Sequence, residues 1–180
     1  MRNKYLHLLF EKKTAIILIL LMIVLLGFAK SLVFVVGLLL INVILGLIVR
    51  PFKYFLAGIE IVTLITIVTS LAYGAVAGMI AGAIALLTNL IAIGRTTPRA
   101  FLFVLAMIVL AWLAPIFAGV GAGITAVGIG ANIAYNLVVL VSIAIFGGDF
   151  AKGIIYVAIN TVFNVFLFTT VAPGLVRVMG

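Results

Sequence analysis

Glu60 is an acidic residue inside a markedly apolar stretch, GIEIVTLITIVTS at residues 58–70. A charged side chain at the centre of a membrane helix costs about 2.5–3.5 kcal/mol on insertion scales, so such a group usually faces a cavity or a partner. Thr63 and Ser70 follow at spacings that place them in the same helical stripe as Glu60. We therefore predict that these three residues bind a substrate.

A structural interpretation of Glu60 stays open beside this one. The residue lies about two turns from the inner end of its predicted helix, where Arg50, Lys53 and Arg95 are candidate ion-pair partners. Local water and the reach of long basic side chains would lower the free-energy cost of the carboxylate there. Glu60 is thus either a ligand site or half of a structural ion pair.

Two pairs of asparagines stand on consecutive predicted helices. Asn132 and Asn136 form one pair and Asn160 and Asn164 the other, each at a spacing of four that puts both amides on one helix face. One interpretation is interhelical hydrogen bonding, which contributes about 0.6 kcal/mol per contact in membranes. The other is a shared polar cavity for a small neutral or zwitterionic ligand, and on it we predict all four as substrate-binding residues.

Small residues recur at intervals of four in YGAVAGMIAGAIA. Gly74, Gly78 and Gly82 define this row. Small residues at this spacing let two helix backbones approach closely, so the row is predicted to be a packing surface. Its partner helix belongs either to this chain or to another subunit.

The residue types needed for catalysis are scarce. The chain has three acidic residues, one histidine and no cysteine, and it contains neither HExxH nor GxxxxGK[ST]. General acid–base and metal-assisted catalysis both need paired groups. We therefore expect a protein that is not an enzyme and has no catalytic residues, no metal and no cofactor.

The composition defines the elements that must position these residues. Hydrophobic residues make up 68% of the chain and charged residues 8%, with a mean hydropathy of +1.57. Soluble domains carry about 25% charged residues, so the expected fold is an all-α, polytopic transmembrane bundle. The net charge of +8 arises from cations at the ends of apolar runs, which is typical of contact with lipid headgroups rather than nucleic acid.

The apolar runs predict about seven spans in a single bundle at 14–180, preceded by an interfacial segment at 1–13. Residues 1–29 also fit a cleavable signal. Six spans would remain if it is cleaved, or if the first two runs form one helix. The predicted spans are 14–29, 31–49, 54–72, 75–94, 100–118, 124–146 and 153–172.

The distribution of Lys and Arg predicts the orientation in the cell membrane. With seven spans and a cytoplasmic N-terminus, the C-terminus is outside and only Lys30 and Arg177 lie on the outer side. Fusing the first two runs would remove this bias. The rule that Lys and Arg collect in cytoplasmic loops therefore favours seven spans. The basic residues that this topology places inside are Arg2, Lys4, Lys12, Lys13, Arg50, Lys53, Arg95, Arg99 and Lys152.

The stretch 54–94 resembles the substrate-capturing subunits (S-components) of energy-coupling factor vitamin transporters. The resemblance rests on Tyr73-Gly74-Ala75-Val76-Ala77-Gly78, followed by Gly82 and Asn89. The tail NTVFNVFLFTTVAPGLVRVMG is also similar to the last helix of S-components and of MreD-type cell-shape proteins. The S-component resemblance implies a solute-binding bundle that lacks its own motor. The chain departs from that family in its predicted seven spans and outer C-terminus, and residues 31–49 lack the Ala-x-x-x-Ala docking motif.

Two functions follow as expectations. The first is a substrate-binding or transport subunit for a small solute, which would work in the lipid bilayer with other membrane subunits. The second is an MreD-like scaffold or a subunit of a larger membrane complex, in which the polar residues serve only helix packing and the glycine row is a docking ridge.

Overall fold

The computed structural model describes residues 30–52, 56 and 58–179. The chain divides into two compact units, 1–34 and 35–180. The first contributes only the beginning of one helix to the described residues, and the second holds a helix bundle. The α-helices of the described residues are α1 (30–49), α2 (Val62–Tyr73), α3 (Ala75–Ile93), α4 (Ala100–Gly119), α5 (Ile124–Phe146), α6 (Phe150–Thr170) and α7 (Ala172–Met179), with a 3₁₀ turn at Arg50–Phe52.

Within the described residues, five helical segments are long and apolar enough to cross a membrane. They are 19 to 23 residues long with mean hydropathies of 1.6 to 3.1, and a span needs about 20 residues. The chain is therefore a multi-pass helical membrane protein. The five segments are Lys30–Phe52, Ala75–Ile93, Ala100–Gly119, Ile124–Phe146 and Phe150–Thr170.

The surface and the interior of the bundle both differ from those of a water-soluble domain. Along α4, large apolar side chains are exposed at Phe101, Leu105, Val109, Trp112 and Ile116, a spacing that defines one continuous stripe of the helix surface. Buried positions elsewhere hold a carboxylate, amides and hydroxyls. An apolar exterior around an interior that holds polar groups beside an apolar core fits a protein whose solvent is lipid.

Contacts between helices fix their relative directions. Asn42 donates to the carbonyl of Ala85 over 2.8 Å, and a methyl group added at Gly46 would lie 2.8 Å from Cβ of Ala92. These two contacts mean that α1 and α3 run parallel. The short connection at Gly74 turns α2 back against α3, so the chain alternates in direction through these three helices.

The predicted helices are largely confirmed from α3 to α6. The predicted spans 75–94, 100–118 and 124–146 match α3, α4 and α5 within one residue at each end, and 153–172 overlaps α6. The predicted helix 31–49 matches α1. Residues 1–13, the span 14–29 and the signal-cleavage alternative lie outside the described residues, so the count of seven spans stays a prediction.

The predicted span 54–72 is wrong over Gly58–Ile61. The helix begins only at Val62 and has 12 residues, and Gly58–Ile61 is not helical. A Cβ at Gly58 would lie 2.5 Å from the carbonyl oxygen of Tyr156 and 2.7 Å from the amide nitrogen of Asn160. The segment is therefore packed directly on the backbone of α6. Asn160 Nδ2 donates to the carbonyl of Gly58 over 3.0 Å, pairing a backbone group that a helix would otherwise satisfy.

The glycine row of α3 packs inside this chain. A Cβ at Gly78 would lie 2.5 Å from Cβ of Ser70, and one at Gly82 would meet Oγ1 of Thr66. The surface is therefore the seam between α2 and α3, which are antiparallel. Gly74 has no atom near its would-be Cβ; its φ of 92° makes it the turn residue between the two helices.

A proline in α4 explains one of the buried hydroxyls. Pro115 lies inside α4 and has no N–H to donate to the carbonyl of Ala111, four residues earlier. The hydroxyl of Ser70 donates to that same carbonyl. A serine on a neighbouring helix thus pairs the group that the proline leaves free, as is known for prolines in membrane helices.

Candidate functional site

Glu60 lies at the centre of the buried polar groups and is only 3% exposed. Its carboxylate accepts hydrogen bonds from side chains of two helices: Asn89 Nδ2 donates to Oε2 over 2.8 Å and the Tyr156 hydroxyl to Oε1 over 2.9 Å. Asn160 Nδ2 also points at Oε1, at 3.4 Å. The donors come from α3 and α6, so the non-helical segment before α2 is fixed between them by its carboxylate.

The predicted asparagines extend this cluster into α5. Asn132 Nδ2 donates to Oδ1 of Asn160 over 2.7 Å. Asn136 Nδ2 donates to Oδ1 of Asn132 over 3.2 Å and to the hydroxyl of Thr161 over 2.9 Å. Glu60 and three of the four asparagines thus form one continuous hydrogen-bond network across α5 and α6.

A cavity of 530 Å³ lies beside this network, and Glu60 is in its wall. It reaches the connections between α3 and α4 and between α5 and α6, where Thr96, Thr97 and Gly148 are exposed. These connections form its mouth, which we call the basic end after Arg95, Arg99 and Lys152. The other lining residues are Leu90, Ile93, Gly94, Phe103, Tyr135, Val139, Ile143, Asp149, Gly153 and Tyr156.

The mouth carries an excess of positive charge. Among the residues that the structure describes, the basic ones at the mouth are Arg95, Arg99 and Lys152, against one acidic residue, Asp149. Lys152 Nζ lies 2.7 Å from Asp149 Oδ2. Hydrogen bonds from the Lys152 side chain and backbone hold the pKa of Asp149 below its ordinary value. Asp149 also caps the N-terminus of α6 by accepting from the Lys152 amide over 3.1 Å.

Aromatic side chains line the middle of the cavity. The rings of Phe103 and Tyr135 meet edge to face, with centroids 6.1 Å apart and planes at 73°, an arrangement that aromatic pairs prefer. Tyr156 stands in the same wall with its hydroxyl on Glu60. The cavity therefore has a basic mouth, aromatic walls and a carboxylate at its inner end.

The remaining predicted substrate-binding residues lie apart from the cavity wall. Asn164 donates to the backbone carbonyl of Asn160 over 3.1 Å, and its Oδ1 is buried without a partner in the described residues. Thr63 is fully buried, and its hydroxyl likewise has no described partner. Ser70 pairs with Ala111. Of the seven predicted residues, Glu60 alone lines the cavity.

The structure adds functional candidates that the sequence analysis did not select. Asn89 and Tyr156 hydrogen-bond to Glu60, and Tyr135 lines the cavity. Tyr156 precedes Asn160 by four residues, so the helical face that contains Asn160 and Asn164 begins with it. That spacing was a usable signal for Tyr156. No sequence signal indicated the contact with Asn89, because that contact depends on where the non-helical segment Gly58–Ile61 places Glu60.

The predicted ion pair of Glu60 is not among its described contacts. The donors on its oxygens are two amides and a phenol. Arg95 lies in the cavity wall, Arg50 lies near Gly94, and Lys53 is outside the described residues. The described residues also contain no group of three or more His, Cys, Asp or Glu side chains that could hold a metal ion.

No protein-family model, curated protein or solved structure matches the chain. The resemblances to S-components and to MreD-type proteins therefore stay predictions.

Proposed function

We propose that this protein is the solute-binding subunit of a membrane transport system and that it holds its solute in the cavity beside Glu60. The observation that carries the proposal is a buried carboxylate in the wall of a 530 Å³ cavity inside a membrane bundle. Ligand sites commonly measure about 300–1,000 Å³ and combine apolar walls with a few convergent polar groups. An ionisable residue at membrane depth is by default a functional candidate.

The break before α2 supports a transport role. Substrate sites of transporters are commonly built where a membrane helix is discontinuous, because irregular backbone is tolerated only where it is buried in protein or lines a cavity. Here the non-helical residues Gly58–Ile61 carry Glu60 into the bundle between α3 and α6.

Access from one side also supports this proposal. The mouth lies at the basic end, which the distribution of Lys and Arg predicts to be cytoplasmic. Towards the opposite end, Gly78 and Gly82 bring α2 and α3 into close contact, and Ser70 ties α2 to α4. A site that opens at one side of the membrane fits one state of an alternating-access cycle. Partner subunits would supply the energy.

The scaffold function is the second candidate. The observation in its favour is that Asn132, Asn136 and Asn160 hydrogen-bond to each other, as groups with only a packing role would. The glycine row argues against a scaffold that docks another subunit on α3, because Gly78 and Gly82 already pack against α2 of the same chain. They therefore offer no docking ridge to another subunit.

Binding of small solutes to the purified protein in lipid nanodiscs tests the proposal. A panel of neutral, acidic, basic and zwitterionic metabolites is screened by the shift in melting temperature. The proposal expects at least one compound that stabilises the native protein and loses affinity in Glu60→Gln, while that variant stays monodisperse. Arg177→Gln removes a charge on α7, outside the cavity lining, and serves as the control. A scaffold would bind no compound, and Asn160→Ala would then alter only its stability or its assembly with partners.

A further inference from the structure

We propose that the solute held in this cavity is a small zwitterion, with its ammonium group on the Glu60 carboxylate and its acidic group at the basic end. This inference rests on the proposed function and adds the chemical class of the solute. It follows from the placement of opposite charges at the two ends of one cavity: a carboxylate at the inner end and three basic side chains at the mouth.

The carboxylate has capacity for a further donor. Two carboxylate oxygens offer about four acceptor positions, and Asn89, Tyr156 and Asn160 supply three donors, the last at a long 3.4 Å. All three are neutral, so none of them compensates the charge of the ionised group. A buried carboxylate is stabilised most by a cation that also donates hydrogen bonds. An ammonium group entering the cavity supplies both.

The aromatic wall fits the ammonium end of the solute. Tyr135 lines the cavity, and Phe103 packs edge to face against it. Aromatic faces attract cations, and the attraction is stronger where the site is desolvated. The wall therefore favours an amine over an anion near Glu60, while its apolar surface accepts the carbon chain that joins the two charged groups.

The mouth fits the acidic end. Arginine side chains bind carboxylates and phosphates through paired hydrogen bonds, and Arg95 and Arg99 both line the mouth together with Lys152. Asp149 offsets part of this charge through its ion pair with Lys152. The remaining excess is positive, so the mouth attracts an anion and disfavours a solute that carries only positive charge.

Charge therefore discriminates between solute classes. A simple acid would place no cation on Glu60, and a simple amine would bring no acidic group to the basic end. A zwitterion satisfies both ends at once. Since each end contributes independently, removing either charge from the solute should weaken binding by tenfold or more, which is about 1.4 kcal/mol.

The experiment compares matched solutes on the native protein in nanodiscs by isothermal titration calorimetry. Leucine, 4-aminobutyrate and 6-aminohexanoate are each measured beside the amine and the acid that lack one charged group, for example butylamine and butyrate beside 4-aminobutyrate. We expect at least one zwitterion to bind tenfold or more tightly than both of its partners. Glu60→Gln should lower affinity for the zwitterion and the amine and leave the acid unchanged. Arg99→Gln should lower affinity for the zwitterion and the acid and leave the amine unchanged. Arg177→Gln, which removes an equal charge on α7, is the control.

Two failures have different meanings. If a neutral or singly charged solute from the wider screen binds with an affinity that depends on Glu60, while every zwitterion binds no tighter than its partners, the solute class is wrong and the binding function stands. If no compound of any class binds, the binding function itself is overturned. The comparison of solutes on the native protein decides the class even if the Glu60 and Arg99 variants do not fold.

Discussion

The hydroxyl of Tyr156 donates to Oε1 of Glu60 across 96 residues of sequence, with 2.9 Å between the oxygens. This contact holds the broken segment before α2 against α6. Tyr156→Phe removes the donor and keeps the ring, so it should lower the free energy of unfolding by about 0.6–1.7 kcal/mol, the range measured for side-chain hydrogen bonds in membranes. Denaturant titration in mixed micelles measures this difference. An unchanged midpoint would mean that the bond contributes nothing to stability.

The pairing of Ser70 with the Ala111 carbonyl predicts that Pro115→Ala reduces the destabilising effect of Ser70→Ala. Ser70→Ala should destabilise the native protein by about 1 kcal/mol, because a buried carbonyl loses its donor. In a Pro115→Ala background the same substitution should have a smaller effect, since the new amide at 115 can pair with Ala111 within α4. A double-mutant cycle on unfolding free energies tests this. Additive effects would contradict the role given to Ser70.

The seam between α2 and α3 predicts intolerance to added volume. Gly78→Ala and Gly82→Ala should each destabilise the protein by about 1–3 kcal/mol, because the new methyl groups meet Ser70 and Thr66. Gly130→Ala, also within a helix but with nothing within 4 Å of its would-be Cβ, is the matched control and should be neutral or stabilising. Thermal unfolding in detergent ranks the three variants, and equal losses would show that seam packing is not responsible.

The orientation of the basic end is open to direct labelling, since the chain has no cysteine. Thr97→Cys lies in the exposed connection at the cavity mouth, and Val120→Cys lies at the opposite end of α4, where the side chain is 78% exposed. With a membrane-impermeant maleimide, intact cells should label only the residue-120 variant. Inverted vesicles should label only the residue-97 variant. The reverse pattern would place the cavity mouth outside.

Asp149 predicts an acid-sensitive start of α6. Its pKa is lowered in the folded protein by Lys152, so its stabilising contribution is present above the unfolded-state pKa and is lost as pH falls through the lower folded value. We therefore expect the Lys152 amide to lose hydrogen-exchange protection below pH 3.8, the ordinary value for Asp. Asp149→Asn has no group to titrate at this position. Its exchange, corrected for intrinsic rate, should show no such transition, and a shared transition would assign the effect elsewhere.

Helices with continuous apolar runs were predictable from sequence. The runs that became α3, α4 and α5 are bounded by Gly or by Arg and Pro, and each boundary coincides with the observed helix end within one residue. Length and hydropathy decide such elements because hydrocarbon leaves no other structure for an isolated segment. Pro115 did not end α4, since Ser70 on another helix satisfies the carbonyl that it frees.

The break before α2 was not predictable in the same way. Gly58–Ile61 belong to an apolar run, and their departure from a helix accompanies the direct packing of Gly58 on α6, about a hundred residues later. The grouping of Asn132, Asn136 and Asn160 was expected from their spacing, and they do share a network. The stripe that joined Thr63 and Ser70 to Glu60 assumed a continuous helix through position 60. Because Gly58–Ile61 is not helical, these three residues do not form the predicted stripe.

The long sequence separation between Glu60 and its donors also has a bearing on how the chain is made. During synthesis the segment with Glu60 reaches the membrane well before Asn160 and Tyr156 have left the ribosome, and only Asn89 follows soon after. A helix of 12 residues is too short to insert stably by itself, and Gly74 joins it to α3 without a spacer. The two helices should therefore enter the membrane together as a hairpin. The Glu60 carboxylate can gain its donors on α6 only after that helix has been made.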